Sequence, residues 1–211
     1  MEGTNNLNAA RVMIVDDAGI IRMTVSRILE KEGYHVYEAE DGLRALAMME
    51  ESSPDALLLD LKMPVMTGLD LLRVLKSEWP DTEVIVITAY AEDQMVRQVE
   101  ELGVMQIVTK PFTDLSLLKK FVARAVVETR LSKGKPIEDE APLRQVLLLN
   151  GRVRHEDFEK ALSRSRGKNQ SLKSVLIEQG NITEAGLQEA VKDFIRNTET
   201  SVPDALCAGT M

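Results

Sequence analysis

Short, wholly apolar runs alternate along the chain with longer segments whose apolar residues recur every three or four positions. Val12-Met13-Ile14-Val15, Leu57-Leu58-Leu59 and Val84-Ile85-Val86-Ile87 are apolar without alternation, the pattern of strands buried on both faces. Tyr34 to Ala39 alternates in polarity and reads as an edge-leaning strand, and Gln106 to Thr109 as a weaker one. Amphipathic helices fill the gaps. The first carries Ile20, Ile21, Val25, Ile28 and Leu29 and closes at Gly33; the second, after Asp41-Gly42, carries Leu43, Leu46, Ala47 and Met49. A third carries Leu69, Leu72, Val74 and Leu75 and breaks at Pro80, a fourth spans Glu92 to Leu102, and a fifth runs from about Asp114 to Arg130. Strand and helix thus alternate five times, which predicts an α/β fold with a doubly wound, five-stranded parallel sheet.

In such a sheet all strands point the same way, so the residues at their carboxyl ends gather at one edge, where ligands bind. Those residues are Asp16 and Asp17, Asp60, Thr88 and Lys110. Three crowded carboxylates repel one another and call for a cation, and an oxygen-only ligand set suits Mg²⁺. A lysine and a hydroxyl beside them can hold the oxygens of a transferred phosphoryl group. An aspartate can then act as the nucleophile and form an acyl phosphate.

Composition narrows the class. The 211 residues are 44% hydrophobic, 28% charged and only 4% aromatic, enough for one large or two small domains with aliphatic cores. The net charge of −8 argues against general affinity for nucleic acid or an anionic membrane, but it is uneven: residues 1–130 hold 14 basic and 22 acidic side chains, residues 141–197 hold 10 and 7. A single cysteine, Cys207, permits neither a disulfide framework nor a thiolate metal site, which suits the cytoplasm. No signal-peptide pattern opens the chain, and no apolar run reaches the roughly 20 residues of a membrane span. The two histidines, His35 and His155, stand far apart without clustered partners and read as surface residues.

Asp16-Asp17, the stretch Asp60-Leu61-Lys62-Met63-Pro64 with Gly68, Thr88-Ala89 and Lys110-Pro111 occur in order, each at a strand end. With this set the chain resembles a two-component response-regulator receiver domain, matching over about residues 9–130. The resemblance implies a flavodoxin-like fold and a role for each position. Asp16 and Asp17 would bind Mg²⁺ with Asp60 and the backbone carbonyl of Lys62. Asp60 would be the phosphoacceptor, taking the group from a phosphohistidine of a sensor histidine kinase; Lys110 would pair with it and Thr88 would hydrogen-bond it. The Lys110-Pro111 bond is expected to be cis, and turnover is limited to self-catalysed phosphoryl transfer and slow self-dephosphorylation. One position departs: Ile107 stands where receivers commonly carry an aromatic switch residue, so the response would fall to Thr88 and the loop Ala89-Tyr90-Ala91.

Residues 131–141, with Ser132, Gly134, Pro136 and Glu138-Asp139-Glu140 and with Pro142 directly after, have no hydrophobic period and read as an exposed linker. Beyond them lies a repeat. Leu143, Val146, Leu147, Gly151, Val153, Phe158, Ala161 and Leu162 recur 29 residues later as Leu172, Val175, Leu176, Gly180, Ile182, Leu187, Ala190 and Val191. Each copy reads as a helix ended by Asn150-Gly151 or Gln179-Gly180 and then a second helix, the last one capped by Thr183. Residues 142–197 thus form a small all-α module, folding as a compact unit. Its pattern resembles the N-terminal domain of type II secretion and type IV pilus assembly ATPases, a fold that in some members binds cyclic di-GMP. The openings Pro142-Leu143-Arg144 and Ser171-Leu172-Lys173 and the closings Ser165 and Phe194 depart from that family's Arg-Leu-Gly and Gln, which removes its ligand contacts. The basic residues Arg152, Arg154, Lys160, Arg164, Arg166 and Lys168 are diluted by Glu156, Asp157 and Glu159 and lack helix-turn-helix spacing, so DNA binding is disfavoured. The reading that results is a response regulator whose phosphorylation switches a protein-docking helical module, with a cyclic di-GMP effector or a DNA-binding regulator as alternatives. A homodimer through the last receiver helices is a further expectation, and residues 198–211 read as a disordered tail.

Overall fold

The computed structural model describes residues 9–89, 94–112, 114–168 and 170–199. Five parallel strands, β1 (Arg11–Val15), β2 (His35–Ala39), β3 (Ala56–Asp60), β4 (Val84–Thr88) and β5 (Gln106–Thr109), lie in the order β2-β1-β3-β4-β5. The crossovers run through α1 (Gly19–Glu32), α2 (Gly42–Glu51), α3 (Gly68–Glu78) and α4 (Gln94–Glu101), and α5 (Leu115–Ser132) follows the last strand. This is the doubly wound sheet that the alternating pattern predicts. Its order reverses between β1 and β3, the topological switch point where a crevice opens beyond the strand ends.

Side chains leave each strand with a period of two and divide between two cores. Met13, Val15, Leu57 and Leu59 pack against α2 and α3, with Met49 and Leu72 opposite; Val12, Ile14 and Leu58 pack against α1 and α5, with Leu29 and Phe121 opposite. Every residue of β3 and β4 is buried, and each fully buried Leu or Ile contributes roughly 1.5–3 kcal/mol. Register aligns Val15 with Leu59 and Asp60 with Ile87, so the strands finish level at the carboxyl edge. Gly33, at φ 100°, ends α1 in a left-handed turn whose amide bonds to the Glu30 carbonyl at 3.0 Å. Not every apolar helical position faces inward: Ile20 is 70% exposed and Leu43 is 55% exposed, both near the amino ends of their helices.

Four more helices follow: α6 (Glu140–Leu149), α7 (His155–Lys168), α8 (Leu172–Glu178) and α9 (Glu184–Glu199). The 29-residue repeat is visible in space, because Gly151 and Gly180 take equivalent left-handed conformations at φ 60° and 71°. The repeat's apolar positions from Leu143 to Val191 make a third core, with Ile182 at its margin. Thr183 accepts a hydrogen bond from the Gly186 amide at 3.0 Å, the capping expected of it.

Three expectations need correction. The third core is not confined to residues 142–197, since Ala123 and Val127 on the outer face of α5 belong to it. Nor is the segment 131–141 an exposed tether: Ile137 and Asp139 are buried, and the Arg130 guanidinium pairs with Asp139, with Asp55 at 3.2 Å and with the Pro136 carbonyl at 3.3 Å. Asp139 therefore faces an inward cation. Helix α9 runs past residue 198, where a fully buried Thr198 hydroxyl donates to the Phe194 carbonyl at 2.6 Å; the rest of the expected tail, residues 200–211, lies outside the described residues. Among the described residues no helix is long and apolar enough to cross a membrane.

Candidate functional site

The carboxyl edge brings together all five residues that the strand ends predict. Asp16 is fully buried immediately after β1, Asp60 is buried as the last residue of β3, and Thr88 is buried as the last of β4. Lys110 follows β5, where its amide bonds to the Thr88 carbonyl at 2.7 Å, and the Lys110-Pro111 peptide is cis. The lysine ammonium reaches across to two carboxylates, Asp16 Oδ2 at 2.5 Å and Asp60 Oδ1 at 2.9 Å. Asp17, exposed, completes a group of three acids whose oxygens lie within 4.8 Å of one another.

Local structure fixes the two buried acids. The Asp16 side chain accepts from the Ala18 amide at 2.9 Å, and its own amide donates to the Ala39 carbonyl at 3.2 Å. Asp60 Oδ2 accepts from the Lys62 amide at 3.2 Å. Behind it, Gly68 opens α3 so close that a Cβ there would lie 2.0 Å from the Asp60 carbonyl oxygen, which only glycine permits. Between them Val65 adopts φ 69°, an unusual conformation for a β-branched residue, with 84% of its surface exposed.

Burial pushes the Asp60 carboxyl above the usual carboxylate range; the Lys110 hydrogen bond and charge pull it back, and Asp16 and Asp17 push it up again. A cation beside these oxygens relieves both the burial and the like-charge repulsion. The donor set therefore fits a hard divalent ion such as Mg²⁺, which takes oxygen ligands.

Nothing in the linear pattern singles out Arg22, yet it touches the site. Its Nη1 donates to the backbone carbonyls of Asp16 at 2.7 Å and Asp17 at 3.2 Å. The only signal available is its place within two turns of the acid pair on α1. Ile107, at the position of the common aromatic switch, is buried in the sheet core. Tyr90 and Ala91, the other part of the expected switch, lie outside the described residues. Both histidines are exposed, His155 by 72% of its side chain, and His35 packs edge-on against Tyr37 at 4.6 Å.

Comparison with known proteins agrees with this geometry. Residues 12–122 match the family described as the response regulator receiver domain. Among curated proteins, the chain is 38% identical over 102 residues to sporulation initiation phosphotransferase F of Bacillus subtilis, covering 48% of this chain and 82% of that one. It is 36% identical over 105 residues to the chemotaxis protein CheY of the same organism, covering 49% and 88%. Among solved structures, the CheY-like response regulator receiver domain protein of Methanospirillum hungatei is 30% identical with a TM-score of 0.55, covering 59% of this chain and 98% of that chain. The chain belongs to the response-regulator receiver family. It is a two-component signalling protein, and the matched residues end ahead of α6 to α9.

Proposed function

We propose that Asp60 is the phosphoacceptor of a response regulator, charged by a sensor histidine kinase. The observation that carries this is the pairing of a buried Asp60 with Lys110 inside a three-carboxylate cluster at the sheet's switch point. An Asp60 carboxylate oxygen attacks phosphorus, the bond from phosphorus to the donor imidazole breaks, and the imidazole nitrogen keeps the electron pair. Lys110 then turns from the free carboxylate to the transferred phosphoryl oxygens, and the Thr88 hydroxyl, one strand away, hydrogen-bonds the same group. Asp16, Asp17, Asp60 and the Lys62 carbonyl hold Mg²⁺, which supplies charge neutralisation when bound. Among the described residues no general base stands ready for rapid hydrolysis, so turnover is restricted to slow loss of the phosphoryl group.

The output is a protein contact made by the C-terminal helices. We divide the chain into a receiver (1–130), a connecting segment (131–141) and a helical module (142–197, continuing to the end of α9). The repeated helix–glycine–helix pattern supports its likeness to the N-terminal domain of secretion and pilus ATPases, while the absent Arg-Leu-Gly openings favour protein docking over cyclic di-GMP or DNA. α6 and α9 pack against α5, so a homodimer through the last receiver helices has to use surface that these two helices leave free. A cytoplasmic setting follows from a kinase donor. The test is incubation with acetyl phosphate and Mg²⁺: wild type should gain one phosphoryl group by mass, and Asp60→Asn none. Full incorporation by Asp60→Asn would reassign the nucleophile.

A further inference from the structure

Two acids that repel must be held close before a cation arrives, and only three residues, Asp16 to Ala18, link β1 to α1. Asp16 is anchored by its neighbours' amides and carbonyls, but Asp17 is exposed on the turn. The direction of its carboxylate therefore depends on the peptide units on either side of it. Arg22 grips both, through the 2.7 Å and 3.2 Å bonds to the Asp16 and Asp17 carbonyls. The other side of the same guanidinium faces strand β2, where its Nε lies 3.4 Å from Glu38. Only 16% of the Arg22 side chain is exposed, so the guanidinium is largely shielded from water while Glu38 stands at the rim, 39% exposed.

We propose that Arg22, braced by Glu38, is a positioning residue for metal capture, fixing the turn so that the Asp16 and Asp17 carboxylates converge beside Asp60. A guanidinium is suited to this because its donors lie in a rigid plane and can serve carbonyls and a carboxylate at once, which a lysine ammonium on a flexible stem does not reproduce. Pairing with Glu38 also offsets a positive charge that would otherwise oppose the incoming ion. Removing groups that orient metal ligands typically costs 10–100-fold in affinity, and a clamp on backbone belongs at the lower end of that range.

The inference rests on the Mg²⁺ and phosphoacceptor reading above, and the experiment separates the two. Mg²⁺ is titrated by calorimetry into the full chain as wild type, Arg22→Lys and Arg22→Gln, with thermal melts to verify folding. Both variants should bind Mg²⁺ about tenfold more weakly. The Mg²⁺ concentration giving half-maximal phosphate uptake from acetyl phosphate should rise by the same factor, while the rate at saturating Mg²⁺ stays within about twofold, a split that general loosening of the fold would not give. Unchanged affinity in Arg22→Lys overturns the proposal, and so does tighter binding in Arg22→Gln, which would mean that the arginine acts only as a repelling charge. Should both variants fail to fold, Glu38→Gln carries the test: a several-fold weaker affinity supports the clamp, and an unaltered one overturns it. A wild-type chain that neither binds Mg²⁺ nor takes up phosphate defeats the underlying reading instead.

Discussion

Lys110 Nζ lies 2.9 Å from Asp60 Oδ1, an ion pair closed across 50 residues of chain and sheltered from solvent on both sides. The same ammonium holds Asp16, so in the absence of a metal ion one lysine offsets part of the charge of a cluster of three acids. Lysine and metal therefore compete for the same oxygens.

That competition sets the expected behaviour of Lys110→Ala. Loss of the lysine should leave Mg²⁺ binding intact or tighten it several-fold, because Asp16 Oδ2 and Asp60 Oδ1 no longer have to exchange one cation for another. Phosphoryl uptake should still drop, since a contact to the transferred group is gone. Calorimetric Mg²⁺ titration checks the first part, and a large loss of affinity would contradict this division of roles.

Asp60→Asn should stabilise the metal-free protein at neutral pH. Burial raises the Asp60 carboxyl, so keeping it ionised costs the folded state free energy that an amide does not. Lys110 retains Asp16 as a partner in the variant. A higher Tm than that of the wild type is expected from a thermal melt in EDTA, and a lower one would contradict this reading.

Val65 should be improvable. A β-branched side chain in the left-handed region costs about 1–2 kcal/mol, and with 84% of Val65 exposed, little packing is lost on replacement. Val65→Asn should therefore gain about 1 kcal/mol in urea denaturation without altering the slope of the transition. A destabilised variant would show that the side chain is held by contacts that its exposure does not suggest.

Asp139 makes stability depend on pH at the far edge of the sheet. Burial pushes its carboxyl up to about 6, Arg130 draws it down, and Asp55 raises it. The folded chain thus keeps this proton to higher pH than the unfolded chain does. Its stabilising contribution is complete below the ordinary carboxylate range and is lost as pH rises through about 6. At most about 3 kcal/mol is involved. Asp60 bends the curve the same way, so the test is a comparison: Asp139→Asn should flatten the stability profile between roughly pH 4 and pH 7.

Residues 141–199 expressed alone should melt broadly, with less cooperativity than the full chain. Without α5 their core lacks Ala123 and Val127, and the connection through Arg130 is cut. A fragment that melts as sharply as the intact protein would mean that the module is autonomous.

Most of the receiver half was legible because its signals are local. Apolar runs such as Leu57-Leu58-Leu59 mark doubly buried strands, and an acid or lysine directly after such a run must emerge at the sheet edge. The 29-residue repeat was legible for the same reason, and its positions fill one core. What escaped depends on pairing between distant residues. Ala123 and Val127 look like any helical core positions, and no local pattern tells that they serve a second core rather than the sheet. Arg130 and Asp139 read as solvated charges until folding brings Asp55 beside them. Ile20 fits the apolar stripe of α1 but stands in the helix's first turn with 70% of its surface exposed, so periodicity alone buries it wrongly.

Helix α5 presents Phe121, Val122 and Val126 to the sheet and Ala123 and Val127 to the helices beyond it. A party wall of this kind restricts recombination. Grafting α6 to α9 onto another receiver at residue 130 would set α6 and α9 against a stranger's helix. A working chimera has to carry the small side chains at 123 and 127 with the graft, together with Arg130 and an acid at the position of Asp55 to receive it.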